Sequence, residues 1–309
     1  MTETPNAVVF DKESLDTIAI EEYAKDFSPH TSTAHPIRDI KRNTLVNVAI
    51  KFGRKARYDI LETDLSTGQC NCIASYTSAI PFYMHSFAMT ENYVILYQTP
   101  VVISSLKALS PWKPIVEAME DKPQLGSQII VINRNNGEAS VFPTENFYCY
   151  HSSNAYELDH EIVLDLVTTS RGDYSALSFD DIDKRKEYQS NFTRFAINMQ
   201  KKDFQADALY SGQIEYPRIN ERASLSQDYT YSYMCNKIDG SSPFNQIVKL
   251  NVKTTAVQTW SMAGIAVGEP IFVQNEKNND DSVLMFLLYD AGNSRSGLAI
   301  VSSESLETL

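Results

Sequence analysis

One short unit recurs along this chain and constrains its fold more than any other feature. It is an apolar strand, a turn built on Asp, Asn or Ser, and a second strand. It reads Val8-Val-Phe-Asp-Lys-Glu-Ser-Leu-Asp-Thr-Ile18 and Asp59-Ile-Leu-Glu-Thr-Asp-Leu-Ser-Thr-Gly68. It returns as Ile129-Ile-Val-Ile-Asn-Arg-Asn-Asn-Gly137, as Val248-Lys-Leu-Asn-Val-Lys-Thr-Thr-Ala-Val257 and as Ala299-Ile-Val-Ser-Ser-Glu-Ser-Leu-Glu-Thr-Leu309. Thr67-Gly68 and Asn136-Gly137 supply the positive φ that tight hairpins need. With Asp11, Asp64, Asn133, Val252 and Ser302 as turn anchors, the spacings are 53, 69, 119 and 50 residues. The longest is about two periods, which places a hidden unit near Thr193–Met199. Four-stranded blades repeating at about 40–50 residues, stretched by insertions, build a β-propeller. A β-sandwich made of similar hairpins is the structural alternative.

The apolar pattern is short-range elsewhere too. Leu45–Phe52, Tyr93–Thr99, Gln128–Asn133, Glu161–Val167, Thr193–Met199 and Ser282–Tyr289 are rich in Val, Ile, Tyr and Phe and bounded by polar turns, which predicts strands. Only Ser105–Met119 and Asp180–Tyr188 read as helical. No low-complexity linker divides the chain, so residues 1–309 are expected to form a single all-β domain.

The net charge of −12 repels phosphate backbones and argues against nucleic acid as a partner. Cys70, Cys72, Cys149 and Cys235 are too few for a disulfide framework in 309 residues, and nothing beside Cys70 and Cys72 completes a zinc knuckle. The expectation is reduced, mostly buried thiols. The N-terminus lacks the basic and apolar regions of a signal peptide, and no run of about 18 apolar residues occurs. Localisation is therefore expected to be cytoplasmic. Asn191-Phe-Thr193 fits a glycosylation sequon by chance. No serine-hydrolase elbow, phosphate-binding loop, dinucleotide fingerprint or His-Glu-x-x-His motif is present.

Three of the five histidines have distinctive settings, each just before a strand: His35 in Ser32-Thr-Ala-His-Pro36, His85 in Tyr83-Met-His-Ser-Phe-Ala-Met-Thr90, and His151 in Tyr150-His-Ser-Ser-Asn154. They lie 50 and 66 residues apart, close to the blade spacing. Residues at one phase of a propeller repeat share a radius, so three imidazoles could face one axis and bind Fe(II), Zn or Cu. Three unrelated histidines, each satisfied by a backbone carbonyl, is the plainer alternative. His30 and His160 read as loop and surface residues.

Ala34-His-Pro36, His85-Ser-Phe-Ala-Met-Thr90 and His151 with Asn154-Ala-Tyr-Glu157 resemble three of the four iron-ligand motifs of the carotenoid cleavage oxygenase family. That family includes the animal β-carotene oxygenases and the retinal pigment epithelium isomerohydrolase. The similarity runs from Thr2-Glu-Thr4 through Ile214-Glu-Tyr-Pro-Arg-Ile-Asn220 and Tyr229-Thr-Tyr-Ser-Tyr233 to Gly268-Glu-Pro-Ile-Phe-Val273. It implies a seven-bladed β-propeller with one Fe(2+) per chain, held by His35, His85 and His151. It also implies that Glu3, Glu215 and Glu269 receive the outer N–H groups of the ligands, Glu3 behind His85, Glu215 behind His151 and Glu269 behind a ligand not found here. Such a carboxylate fixes the tautomer and raises ligand basicity.

The family's fourth histidine lies beyond the segment matching Ser296–Leu309, and further chain precedes Thr2-Glu-Thr4. No histidine follows His160, so the propeller is expected to be incomplete at both ends. Ser152-Ser153 stands where the family has a larger apolar residue. The implied reaction is cleavage of a double bond in a lipophilic polyene, a carotenoid or apocarotenoid, by O2. Retinyl-ester isomerohydrolysis on the same iron, or a truncated lipid-binding propeller without activity, are the alternatives. In the apolar stretch from Val101 to Val116, Leu106, Leu109, Trp112 and Ile115 are candidates for the substrate entrance and for peripheral membrane contact. A buried helix over the propeller would read the same.

Overall fold

The computed structural model describes all residues except 1–2, 5, 22–23, 105–106, 108–114, 171–188, 239–242 and 276–281, together with the side chains of Lys25 and Ile115. The described part is antiparallel β-structure, and its strands pair mainly with their neighbours in sequence. Two compact units arise, one reaching to Tyr150 and the other beginning at His151.

The first unit contains two sheets of the recurring kind. In the first sheet, Thr31–Ser32 and Ile37–Asp39 both pair with Thr44–Lys51, followed by Ala56–Asp64 and Cys70–Ser78. In the second, Ala88–Met89, Tyr93–Gln98, Ser127–Asn133 and Ala139–Thr144 lie in sequence order. Fully buried Val48, Tyr58, Ile60, Phe82, Val94, Leu96 and Ile130 belong to one core cluster of this unit. Of two smaller hairpins, Ala7–Phe10 with Thr17–Glu21 precedes the first sheet, and Val101–Ile103 with Met119–Asp121 is inserted in sequence between Tyr93–Gln98 and Ser127–Asn133 of the second.

The second unit continues the pattern. Tyr148–Leu158, Glu161–Thr169, Ser190–Asn198 and Asp203–Gly212 form the third sheet. Ile214–Arg218, Tyr231–Asn236, Gln246–Asn251 and Val257–Ser261 form the fourth. In the fifth, Ile265–Val267 and Ile271–Val273 both pair with Val283–Asp290, which pairs with Arg295–Ser302. Phe192, Ile214, Met234, Val248 and Leu250 belong to one core cluster, and Cys235, Ile247, Leu284, Phe286 and Val301 to another.

The recurring turn has one geometry throughout. At its first residue a side-chain oxygen accepts from backbone N–H groups two and three residues on. The fifth residue returns its N–H to the first carbonyl and sits at positive φ. Asp64 caps Ser66 and Thr67 and closes on Gly68 at φ 73°. Asn133 caps Asn135 and Asn136 and closes on Gly137 at 74°. Asp11, Ser302 and Asn251 do the same, with Leu15, Leu306 and Thr255 at φ 64°, 61° and 60°. The turn anchor of the fourth sheet is therefore Asn251, one residue before Val252, because valine has no side-chain acceptor.

The hidden unit lies where the spacing places it. Asn198 caps Gln200 and Lys201, and Lys202 stands at φ 59°. The long gap resolves into two steps, Asn133 to Asn198 and Asn198 to Asn251.

The six predicted strands are present, each within three residues of its expected ends. The expected helix Asp180–Tyr188 lies outside the described residues, as does most of Ser105–Met119. The described end of the latter is a 3-10 turn, Ile115–Ala118, running into the strand Met119–Asp121.

Candidate metal centre

In each of the five larger sheets one candidate residue falls on or beside the first strand, and at His35, Glu215 and Glu269 regular pairing is interrupted. His35 occupies the gap between Thr31–Ser32 and Ile37–Asp39, where Pro36 has no N–H to give. His85 precedes Ala88–Met89. His151 lies within Tyr148–Leu158. Glu215 begins a register shift that ends at Arg218, and Glu269 lies between Ile265–Val267 and Ile271–Val273. Interrupted pairing re-aims a side chain that a regular pleat would send to a fixed face.

In the first unit, His35 Nε2 and His85 Nε2 lie 3.0 Å apart, with ring centroids 4.7 Å apart and planes tilted by 60°. His85 Nδ1 is 2.7 Å from Glu3 Oε1. The same oxygen accepts from the Tyr83 hydroxyl at 2.5 Å. Tyr83 is buried, and the Tyr150 ring stands edge-on to His85 at 5.8 Å. Glu3 is fastened from behind, since its carbonyl accepts from Ser32 N–H at 3.2 Å and from the Thr31 hydroxyl. The Glu3 carboxylate places the His85 proton on Nδ1 and leaves the Nε2 lone pair facing His35, a tautomer assigned from these partners.

In the second unit the same construction recurs. His151 Nδ1 is 2.7 Å from Glu215 Oε2, and both side chains are largely buried. The Tyr216 N–H also donates to Glu215 Oε2. Tyr216 stands at φ 58° and its ring lies 5.3 Å from that of His151. A bulky residue at positive φ is strained by roughly 1–3 kcal/mol, which the surrounding packing must offset.

Glu269 is placed differently from its two counterparts. Its Oε1 lies 2.6 Å from an Arg218 guanidinium nitrogen. Cys235, whose thiol reaches the Gly268 carbonyl at 3.3 Å, is pushed well up by burial and then by the Glu269 and Glu215 carboxylates, so it stays a thiol. All four cysteines are free.

Leu106, Leu109 and Trp112 lie outside the described residues, and of Ile115 only the backbone is described. His160 is an exposed turn residue, and His30 accepts from Phe52 N–H at 3.0 Å through Nδ1. Both fit their expected surface roles. Sequence reasoning missed Tyr83 and Tyr216, although each stands next to or near a residue it singled out.

A family model described as retinal pigment epithelial membrane protein (RPE65) matches residues 1–309. The chain belongs to this family. Among curated relatives, the apocarotenoid-15,15'-oxygenase of Synechocystis sp. is 26% identical over 276 residues, covering 84% of this chain and 54% of that one. The carotenoid isomerooxygenase of Galleria mellonella is 26% identical over 325 residues, covering 94% of this chain and 62% of the relative. This member of the family thus spans little more than half the length of these relatives. The crystal structure of cobalt-substituted Synechocystis ACO superposes with a TM-score of 0.83 at 23% identity, over 99% of this chain and 66% of that one. The fold is accordingly the all-β propeller type expected from the turn repeat. Among the described residues, no helix is long and apolar enough to cross a membrane.

Proposed function

We propose that this chain carries the iron site of an oxygenase that cleaves a carbon–carbon double bond of a carotenoid or apocarotenoid, with His35, His85 and His151 as ligands of a single Fe(2+). The observation that carries the reading is the 3.0 Å approach of the His35 and His85 Nε2 atoms. Two nitrogens each about 2.1 Å from one ion, at roughly a right angle, are about 3 Å apart. His85 and His151 each turn Nδ1 to a carboxylate at 2.7 Å, the arrangement usual behind a metal-bound imidazole. His151 directly follows Tyr150, whose ring packs on His85. An all-nitrogen donor set suits Fe(II) without demanding it.

The bound ion supplies the chemistry of O2, which adds across one double bond of the polyene to give two carbonyl fragments. The chain's own residues do the rest. Glu3 and Glu215 hold the protons of His85 and His151 on Nδ1 and keep Nε2 free for the ion. Tyr83 orients Glu3, and the rings of Tyr150 and Tyr216 wall the imidazoles with apolar surface suited to a long apolar substrate. Glu269, paired with Arg218, is a third buttress in this reading. Residues 1–309 act as one domain in this reading. The names of the relatives favour oxidative cleavage over ester isomerohydrolysis.

The test is anaerobic loading with Fe(II) followed by addition of an apocarotenoid and O2. Stoichiometric O2 uptake with two carbonyl products is expected from wild type and not from His85→Ala. Iron binding without O2 uptake would sink the oxygenase reading, and no iron binding would sink the site.

A further inference from the structure

The strand that carries Glu215 is poorly held by its own sheet. Among the described residues, Ile214–Arg218 is an edge strand whose only ladder partner is Tyr231–Asn236. The ladder pairs Ile214 with Asn236 and Glu215 with Cys235, then skips to Arg218 and Tyr233. Tyr216 gives its N–H to the Glu215 carboxylate, and Pro217 has none to give. The carboxylate that must meet His151 thus sits at the mouth of a bulge, beyond which the ladder resumes only at Arg218.

Two buried side chains of the third sheet, which bears His151, hold that backbone from outside. Ser190 is fully buried at the start of Ser190–Asn198. Its hydroxyl accepts from Ile214 N–H at 2.6 Å and donates to Ile214 O at 2.8 Å, which pins the residue before Glu215. On the far side of the bulge, residues 219–230 link Arg218 to Tyr231. Asn154, three residues after His151 and 3% exposed, clasps this link. Its amide donates to Ser224 O at 2.8 Å and Gln227 O at 3.1 Å, and its oxygen accepts from Ser226 N–H at 3.0 Å. Tyr229 secures the same link by donating to Asp165 Oδ2 at 2.6 Å.

We propose that Ser190 and Asn154 are positioning residues that set the Glu215 carboxylate against His151, one on each side of the bulge. Neither touches the imidazole. Both act by fixing where Glu215 stands. The assignment rests on His151 being a metal ligand as proposed above. A ligand imidazole whose carboxylate drifts loses orientation and basicity, and losses of this kind weaken metal binding by about 10–100-fold.

The test titrates the purified full chain with Co(II) against a competing chelator and records the Co(II) ligand-field spectrum. Ser190→Ala removes a single buried oxygen. Asn154→Asp keeps the shape and the acceptor but loses both donors. Each is expected to weaken Co(II) about tenfold and to alter the spectrum. Asn251→Ala, which strips the cap from a distant turn, should lower the melting temperature and leave affinity and spectrum unchanged. His151→Ala should lose tight binding. Wild-type affinity and spectrum in both Ser190→Ala and Asn154→Asp, with binding lost in His151→Ala, would overturn the proposal alone. Wild-type binding by His151→Ala would overturn the ligand assignment and this proposal with it. If Asn154→Asp does not fold, Ser190→Ala decides the matter by itself.

Discussion

The Nε2 atoms of His35 and His85 face each other at 3.0 Å, while Nδ1 of His85 is already committed to Glu3. One proton between the two facing nitrogens would make a hydrogen bond, and one cation would satisfy both lone pairs. The second arrangement makes the Glu3 carboxylate part of the metal site. Glu3→Gln keeps the shape, loses the charge and weakens the pull on the Nδ1 proton. It is expected to lower Fe(II) affinity by about 10–100-fold, measured by anaerobic competition titration. Unchanged affinity would mean that Glu3 only fills space.

The sheet that presents His35 is bolted to its neighbour by a buried arginine. The Arg134 side chain is fully buried, with one nitrogen 2.8 Å from Asp39 and another 2.5 Å from Glu62. It also donates to the Glu91 carbonyl at 3.1 Å. Removing one partner of a buried ion pair costs about 3–5 kcal/mol, because the other charge is left without compensation. Arg134→Met therefore leaves Asp39 and Glu62 close together without the guanidinium between them, with Arg42 still 3.8 Å from Asp39. Urea unfolding should report a loss of that size, and a loss below about 1 kcal/mol would show that the network is not buried in solution.

The turn repeat made the fold legible because one local chemistry is reused, a capping side chain followed by a residue at positive φ. It misled only where the cap was read one residue late, at Val252 instead of Asn251. The motifs singled out His35, His85, His151, Glu3 and Glu215 in the sequence, and the fold sets His35 3.0 Å from His85, Glu3 2.7 Å from His85 and Glu215 2.7 Å from His151. Tyr83 and Tyr216 were not legible. Tyr83 reaches Glu3 across 80 residues, and Tyr216 depends on a bulge that shows only when strands are paired. The Arg218–Glu269 pair was hidden as well, because the two charges lie far apart in sequence and meet only in the folded chain.

Several buried phenols set the alkaline limit of the fold. Burial raises Tyr58 and Tyr229 well above the usual phenol range, and for Tyr229 the Asp165 carboxylate adds to it. Tyr156 is pushed up to about 12, chiefly by burial. A folded-state pKa above the unfolded value of 10 means that the unfolded chain loses its protons first. The stabilisation is complete below pH 10 and falls as pH rises from 10 through 12. Denaturant midpoints should hold steady to about pH 9 and then decline. Tyr229→Phe should flatten the decline, and an identical slope in that variant would remove Tyr229 from the account.

The turns offer a test in both directions because the same backbone position is filled by different residues. Gly137 takes φ 74° without strain, and a Cβ built there meets nothing closer than 3.9 Å. Lys202 holds the equivalent place at φ 59° with a side chain that disfavours it. Lys202→Gly should therefore stabilise the chain and Gly137→Ala should destabilise it, each by roughly 1 kcal/mol. Because Gly137→Ala has room for its methyl group, any loss comes from the backbone alone. Thermal melts of the two variants against wild type should move in opposite directions. Shifts of the same sign would mean that the fifth turn residue is set by something other than its φ, and the shared geometry of the six turns would lose its explanation.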